Sequence, residues 1–308
     1  MSDAKKTQGA VQTTGHAWDG DIQEFNNPLP SWWLWSFYAT VVFAVVYWIF
    51  YPAWPVGGAY TTGVMNEITF IDSDGSEKTT RWNTRALLLK DLQEGKSATL
   101  SREYLEKVKD ADYQTILSDA EMMAFTRSMA VGLFGDNCMP CHGAGGAGVM
   151  GLFPNLADDD WLWGGTVEEV EATIANGRYG FMPAFRGTFN AQQLDDVASY
   201  VLSLSGQEAD AASVTRGKNI FQTSEGGCYY CHGTDGKGMK SQGSANLADQ
   251  IWTIADVPGA DTVEARKVAV KHVITNGAQR SMPHWSDRLD STEIKLLTVY
   301  VHELGGGQ

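Results

Sequence analysis

The sequence predicts a mainly α-helical protein, with one N-terminal transmembrane helix followed by two small helical domains in tandem. Three observations carry this. A stretch without charges near the N-terminus holds a 21-residue apolar and aromatic run, Ser31 to Tyr51. From about residue 118 onward, a set of landmark residues occurs twice in the same order. All four cysteines fall into two copies of one five-residue pattern, at matching places in that repeat.

The chain has 308 residues, enough for two or three domains. Its 23 Lys and Arg against 37 Asp and Glu give a net charge of −14. That excludes a nucleic-acid binder, which needs clustered basic residues to neutralise phosphates. A hydrophobic fraction of 43% with 19% charged residues excludes a disordered chain. Four cysteines are too few for a disulfide-stapled fold of this length.

Residues 1–30 form a polar N-terminal segment, and residues 31–54 the span. No charged residue lies between Phe25 and Met65. The run from Ser31 to Tyr51 would make a helix about 31 Å long, close to the thickness of a bilayer core. Trp32, Trp33 and Trp35 mark one end, and Tyr47, Trp48, Tyr51 and Trp54 the other, as at the two membrane interfaces. Pro28 and Pro30 precede the helix, and Pro52 and Pro55 stop it. A core helix of a soluble protein this long would carry a polar stripe. No A-x-A-like cleavage site follows directly, so the run reads as an uncleaved signal-anchor. Residues 55–117 read as a soluble connecting region, with a turn-rich IDSDGSEK stretch, short helices at 86–92 and 103–108, and no chemistry.

The repeat sets the next boundaries, 118–206 and 207–308. Cys138, Cys141 and His142 recur 90 positions later as Cys228, Cys231 and His232. Asn155-Leu156-Ala157-Asp158 and Trp161 recur 91 positions later as Asn246-Leu247-Ala248-Asp249 and Trp252. Asn176-Gly177, Met182-Pro183 and Tyr200 recur 100 positions later as Asn276-Gly277, Met282-Pro283 and Tyr300. The extra residues of the second module fall around IADVPGADT, and Ser205–Ser213 reads as a linker. Ser118-x-x-Glu121, Thr166-x-x-Glu169, Asn190-x-x-Gln193 and Asp290-x-x-Glu293 are capping boxes that each start a helix. Leu194, Val197 and Val201 share one face of the third, and Ile294, Leu297 and Val301 one face of the fourth. About 90 residues with so few large aliphatics make a thin core, which something else must fill.

The cysteine motifs supply it. Cys138-Met139-Pro140-Cys141-His142 and Cys228-Tyr229-Tyr230-Cys231-His232 are C-x-x-C-H. Cysteines three apart can bond the two vinyl groups of one haem, and the following His can present a ring nitrogen to the iron. Each module then reads as a class I cytochrome c domain with one covalently bound haem c. Four-thiolate zinc would leave the fused His and the repeat unexplained. A thioredoxin-like pair would need a β-α-β pattern that is absent. Met182 and Met282 are the methionine pair in register, 40 and 50 residues after His142 and His232, and each precedes a proline. They are the expected distal ligands, one within each module: Met182 with His142 and Met282 with His232. Packing methionines are the plain alternative. Met150 and Met239 lie in Gly-rich loops near the proximal side. His272, His284 and His302 are not needed as ligands. Trp161 and Trp252 pack on the haem, bond a propionate or serve the core. His/Met ligation raises the potential and leaves no open iron position, which favours electron transfer over peroxide chemistry. Haem attachment to C-x-x-C-H occurs outside the bacterial cytoplasmic membrane, so residues 57–308 are expected to be periplasmic and residues 1–30 cytoplasmic.

His16-Ala17-Trp18-Asp19-Gly20, Glu24-Phe25-Asn26-Asn27-Pro28-Leu29-Pro30 and Trp32-Trp33 resemble the N-terminal signature of the dihaem subunit III of cbb3-type cytochrome c oxidases, the CcoP/FixP family. Span, connecting region and two C-x-x-C-H modules follow in that family's order. The resemblance implies a single-pass subunit of the inner membrane in a proton-pumping terminal oxidase. Its implied partners are a catalytic haem–copper subunit, a monohaem cytochrome c subunit and a donor cytochrome c. Carried over by position, Cys138, Cys141, Cys228 and Cys231 hold the haems, and His142, Met182, His232 and Met282 ligate iron. The competing functions are a free-standing anchored cytochrome serving another reductase, a dihaem peroxidase, and an assembly or gas-sensing role.

Overall fold

The computed structural model describes residues 12–305 and divides into two compact units, Met1–Arg102 and Glu103–Gln308. In the first unit, β1 (Thr13–Trp18) and β2 (Ile22–Phe25) form an antiparallel hairpin that the sequence reading did not anticipate. Asp19 and Gly20, both at positive φ, turn it. Helix α1 (Ser31–Phe50) follows, 20 residues with a mean hydropathy of 1.7 and no buried residue. By length and composition it can cross a bilayer. Beyond β3 (Pro55–Val56) and β4 (Ala59–Tyr60), the hairpin of β5 (Glu67–Ile71) and β6 (Glu77–Arg81) packs Ile68 and Phe70 against Ala86 of α2 (Thr84–Glu94). Helix α3 (Lys96–Asp110) runs from this unit into the second and is longer than expected.

The second unit carries α4 (Tyr113–Ser118), α5 (Ala120–Asn137), α6 (Met139–His142), α7 (Val167–Asn176), β7 (Arg178–Met182) and α8 (Ala191–Leu204). These are followed by α9 (Ala211–Phe221), α10 (Tyr229–His232), α11 (Val263–Asn276), β8 (Ala278–Met282) and α12 (Ser291–Leu304). Three of the four expected capping boxes form, at Thr166, Asn190 and Asp290. The fourth differs. Ser118 ends α4 and donates to Thr115 O, while Asp119 caps α5 by accepting from the backbone of Glu121 and Met122. A carboxylate one residue later displaces the hydroxyl from the cap.

The two modules follow each other in sequence but exchange their C-terminal parts. Val197 and Val201 of α8, in the first module, are buried with Ile220, Phe221, Val270 and Ile274 of the second. Ile294, Leu297 and Val301 of α12, in the second module, are buried with Phe134, Val170 and Ile174 of the first. Residues 205–213 are therefore not a linker between separate bodies. Gln207 N donates to Leu202 O, and the few residues after α8 close an αα-hairpin with α9. So short a connection makes consecutive helices antiparallel neighbours.

An ion pair locks that hairpin. Arg216 on α9 donates from Nε and Nη2 to the two carboxylate oxygens of Asp196 on α8, both at 2.8 Å. The Asp196 side chain is only 3% exposed. The hydrogen bond from Arg216 holds its pKa below the ordinary 3.8, against the opposing effect of burial. The folded-state value is the lower one, so the stabilisation is complete above the unfolded carboxylate value and fades as pH falls through the folded value. Asp196→Ala is expected to cost about 1.5–3 kcal/mol at neutral pH, the range for a hydrogen bond to a charged group. Thermal melts of variant and parent should converge in acid. Equal melts at neutral pH would contradict the assignment.

Candidate haem-binding sites

The two cysteine motifs have one local structure built twice. Each forms a single helical turn, α6 or α10, that begins at the first cysteine and ends on a glycine, Gly143 or Gly233, both at φ 74°. An L side chain would be strained there, so glycine lets the chain turn back immediately after His. Gly148 N then donates to His142 O at 2.7 Å, and Gly238 N to His232 O at 2.8 Å.

Both histidines are fixed in the same way. His142 Nδ1 lies 3.1 Å from Pro154 O, and His232 Nδ1 lies 3.0 Å from Ala245 O. A carbonyl can only accept, so Nδ1 carries the proton and Nε2 keeps its lone pair for a metal. Burial lowers both histidine pKa values and favours the neutral ring that ligation needs. The two carbonyls were not singled out from sequence, yet the repeat marks them: each immediately precedes the repeated Asn-Leu-Ala-Asp. Asn155 Oδ1 accepts from Ala157 N at 2.9 Å and Asn246 Oδ1 from Ala248 N at 3.0 Å, turns that aim the preceding carbonyl at the ring. No disulfide joins Cys138, Cys141, Cys228 or Cys231. Burial pushes Cys138 and Cys228 up to about 11, which keeps them protonated at neutral pH.

The methionines sit where the sequence reading did not put them. Strands β7 and β8 pair antiparallel, with Arg178 opposite Met282, Gly180 opposite Arg280 and Met182 opposite Ala278. Met182 lines a cavity with Cys228, His232, Leu247, Trp252 and Ile274, all from the second module. Met282 packs with Cys138, Phe134 and Trp161 of the first. Met182 and His232 line one cavity, and Met282 packs on the same core as Cys138, so each methionine lies beside the other module's motif and not beside its own. The repeated Asn-Gly pairs make this crossing possible. A Cβ on Gly177 would lie 2.5 Å from Met282 O, and one on Gly277 would lie 2.5 Å from Met182 O. Trp285 N donates to Ile174 O, and Phe185 N to Ile274 O, seating each Met-Pro segment on the opposite module. Gly277→Ala is therefore expected to displace Met182 and disturb the site of Cys228 and Cys231, with the other site less affected. Absorption spectra of single-motif variants would read this; an unchanged second site would refute it.

Of the remaining candidates, Met150 and Met239 are exposed. His284 bonds Asp287 at the surface, and His272, exposed on α11, lies beside Asn276. His302 is buried in α12 next to Glu303.

A haem fits these sites on their own evidence. The cavity at His232 holds about 740 Å³ of atom-free space, part of it open to solvent, and its lining is overwhelmingly apolar. At the first site, Trp161 Nε1 is buried without a hydrogen-bond partner, a donor facing an acceptor that the chain itself does not provide. Beside it, burial, then Asp249 and Asp158, push Asp160 up to about 6.

Two C-x-x-C-H turns with oriented neutral histidines in a helical shell define a c-type cytochrome. Comparison with known proteins narrows this. The family described as the N-terminal domain of cytochrome oxidase-cbb3, FixP, matches residues 10–58. The family described as cytochrome c oxidase, cbb3-type, subunit III, matches residues 130–201 and 212–301. The cbb3-type cytochrome c oxidase subunit FixP of Azorhizobium caulinodans is 42% identical, covering 97% of this chain and 95% of that one. The CcoP subunits of Cereibacter sphaeroides and Azospirillum brasilense are each 37% identical over 99% of this chain and 98% of theirs. The chain belongs to the CcoP/FixP family of cbb3-type cytochrome c oxidase subunits.

Proposed function

We propose that this chain is the membrane-anchored dihaem relay of a cbb3-type oxidase, carrying electrons from a donor cytochrome c to the catalytic haem–copper subunit. One observation carries the reading: two equivalent C-x-x-C-H turns, each with a methionine of the paired strands β7 and β8 set beside it. Each covalently bound haem c supplies one-electron chemistry. Cys138 and Cys141 would hold one, with His142 and Met282 as its ligands; Cys228 and Cys231 would hold the other, with His232 and Met182. The carbonyls of Pro154 and Ala245 keep the histidines in register through electron transfer. A histidine and a methionine for each iron would leave no position for substrate, which supports relay over peroxide turnover.

Helix α1 anchors the chain in the inner membrane as a single pass, with residues 1–30 cytoplasmic and the haem modules periplasmic. The catalytic subunit and a monohaem cytochrome c subunit are the membrane partners. The net charge of −14 supports steering of a basic donor. Purification in mild detergent is expected to bring down a haem–copper subunit, with reduction by donor cytochrome c slowing as salt is added. Isolation with a different reductase, or a high-spin haem that turns over peroxide, would overturn the reading.

A further inference from the structure

We propose that Arg280 is a shared anchor for the haem propionates of both sites, set between them on the β7–β8 ladder. The proposal rests on the reading of two bound haems.

The ladder places it there. Exposure alternates along both strands, so Arg178, Gly180 and Met182 of β7 share the inward face with Ala278, Arg280 and Met282 of β8. Arg280 pairs with Gly180 at the centre of the register. Along its own strand it is two residues from Met282, at the first site. Across the ladder, Met182 of the second site lies two residues beyond Gly180. The residue opposite has no side chain, and nothing lies within 4 Å of where a Cβ on Gly180 would be. Of the five repeat-related positions in the ladder only Met182 and Met282 keep their identity, and at its centre one long cation, Arg280, faces one glycine.

The side chain lacks a counter-charge. Arg280 Nη2 donates to Thr253 O at 3.3 Å, and Nη1 is buried with no partner. Among the described residues no carboxylate forms an ion pair with Arg280, whereas Arg216 and Arg127 each have one. A desolvated guanidinium without an anion is costly and is expected to be met by one. Thr253 marks where that anion comes from. It lines the cavity at His232, and its carbonyl also accepts from Gly151 N, in the loop after the first motif. The guanidinium thus sits at the junction of the two sites. Its planar fork suits carboxylates, and propionates are the carboxylates a haem brings. A positive charge held there favours the reduced state of both irons.

The test uses the full chain in its detergent-solubilised complex. Arg280→Gln is expected to lower the midpoint potentials of both haems in an optical redox titration, and Arg280→Lys, which keeps the charge, to lower them less. Each shift is assigned by repeating Arg280→Gln with Cys138 and Cys141, or Cys228 and Cys231, replaced by serine. Resonance Raman spectra of the two-haem protein should show the propionate modes of both haems moved, a readout that does not depend on the serine variants. A shift at one haem alone, or at neither, would overturn the shared anchor. Haem content, measured separately as pyridine haemochrome, should stay at two per chain. A lower value in the parent protein would sink the two-haem reading itself rather than the role of Arg280.

Discussion

A chain cut after Gly206 is expected to lose its first haem site, although every residue of the first C-x-x-C-H module up to that point is retained. The cut removes α12 and β8, and with them Met282, Leu289, Ile294, Leu297 and Val301, which are buried or packed against Phe134, Val170 and Ile174. It also removes Leu296 and Val299, buried against Val108, Ile116, Met123 and Ala130. Each fully buried aliphatic contributes roughly 1.5–3 kcal/mol. Six or so of them together amount to about the whole stability of an ordinary domain, some 5–15 kcal/mol. The haem module of the truncated chain should therefore be unfolded, or bind haem without a methionine ligand. The complementary fragment is unusual. Residues 178–277 cut across the sequence repeat but hold Met182, α8, α9, the second motif and α11, so they should fold better than 207–308. Circular dichroism melts and haem spectra of the two fragments, expressed with haem attachment in the periplasm, would decide it. If 207–308 proved the more stable piece, the exchange of C-terminal parts would be wrong.

That exchange also marks the limit of what the amino-acid sequence reveals. Helix starts were legible because a capping side chain and the backbone N–H it accepts from lie three residues apart, as at Thr166, Asn190 and Asp290. The cysteines and proximal histidines were legible because their chemistry is local. Partner choice was not. The apolar faces of α8 and α12 are copies of one pattern, so each fits either module equally well by hydrophobicity. The decision lies in the short segment 205–210 and in the strand pairing, and no periodicity signals a five-residue strand that pairs with its own repeat. The N-terminal hairpin was missed for a different reason. Asp19-Gly20 is a hairpin signal, but the flanking strands are exposed on both faces and show no alternation to read. Along β7 and β8 only Met182 and Met282 repeat, so a search for matching landmarks passes over Arg280 and Gly180.

The same geometry predicts which methionine would serve which haem, and the expected effect is large because it is a change of ligand. With only Cys138 and Cys141 available for attachment, Met282→Ala should open the distal side of that haem. The sulfur-to-iron charge-transfer band should vanish, the ferric haem turn high-spin, and carbon monoxide bind the ferrous form. Met182→Ala in the same background should leave all three readouts near those of the parent. With only Cys228 and Cys231 available, the roles reverse: Met182→Ala opens the site and Met282→Ala does not. The argument rests on where the side chains lie, Met182 in the cavity at His232 and Met282 packed with Cys138. Ligation within each module would give the opposite pattern in both backgrounds. The crossed pattern has a consequence for potentials. Loss of either thioether ligand lowers the potential of the haem it faces. A substitution in the sequence of one module is then read out at the iron of the other, through a ladder in which β7 and β8 pair at every residue from Arg178 to Met182. The two sites are thus built as one structure, each with its motif and histidine from one module and its methionine from the other.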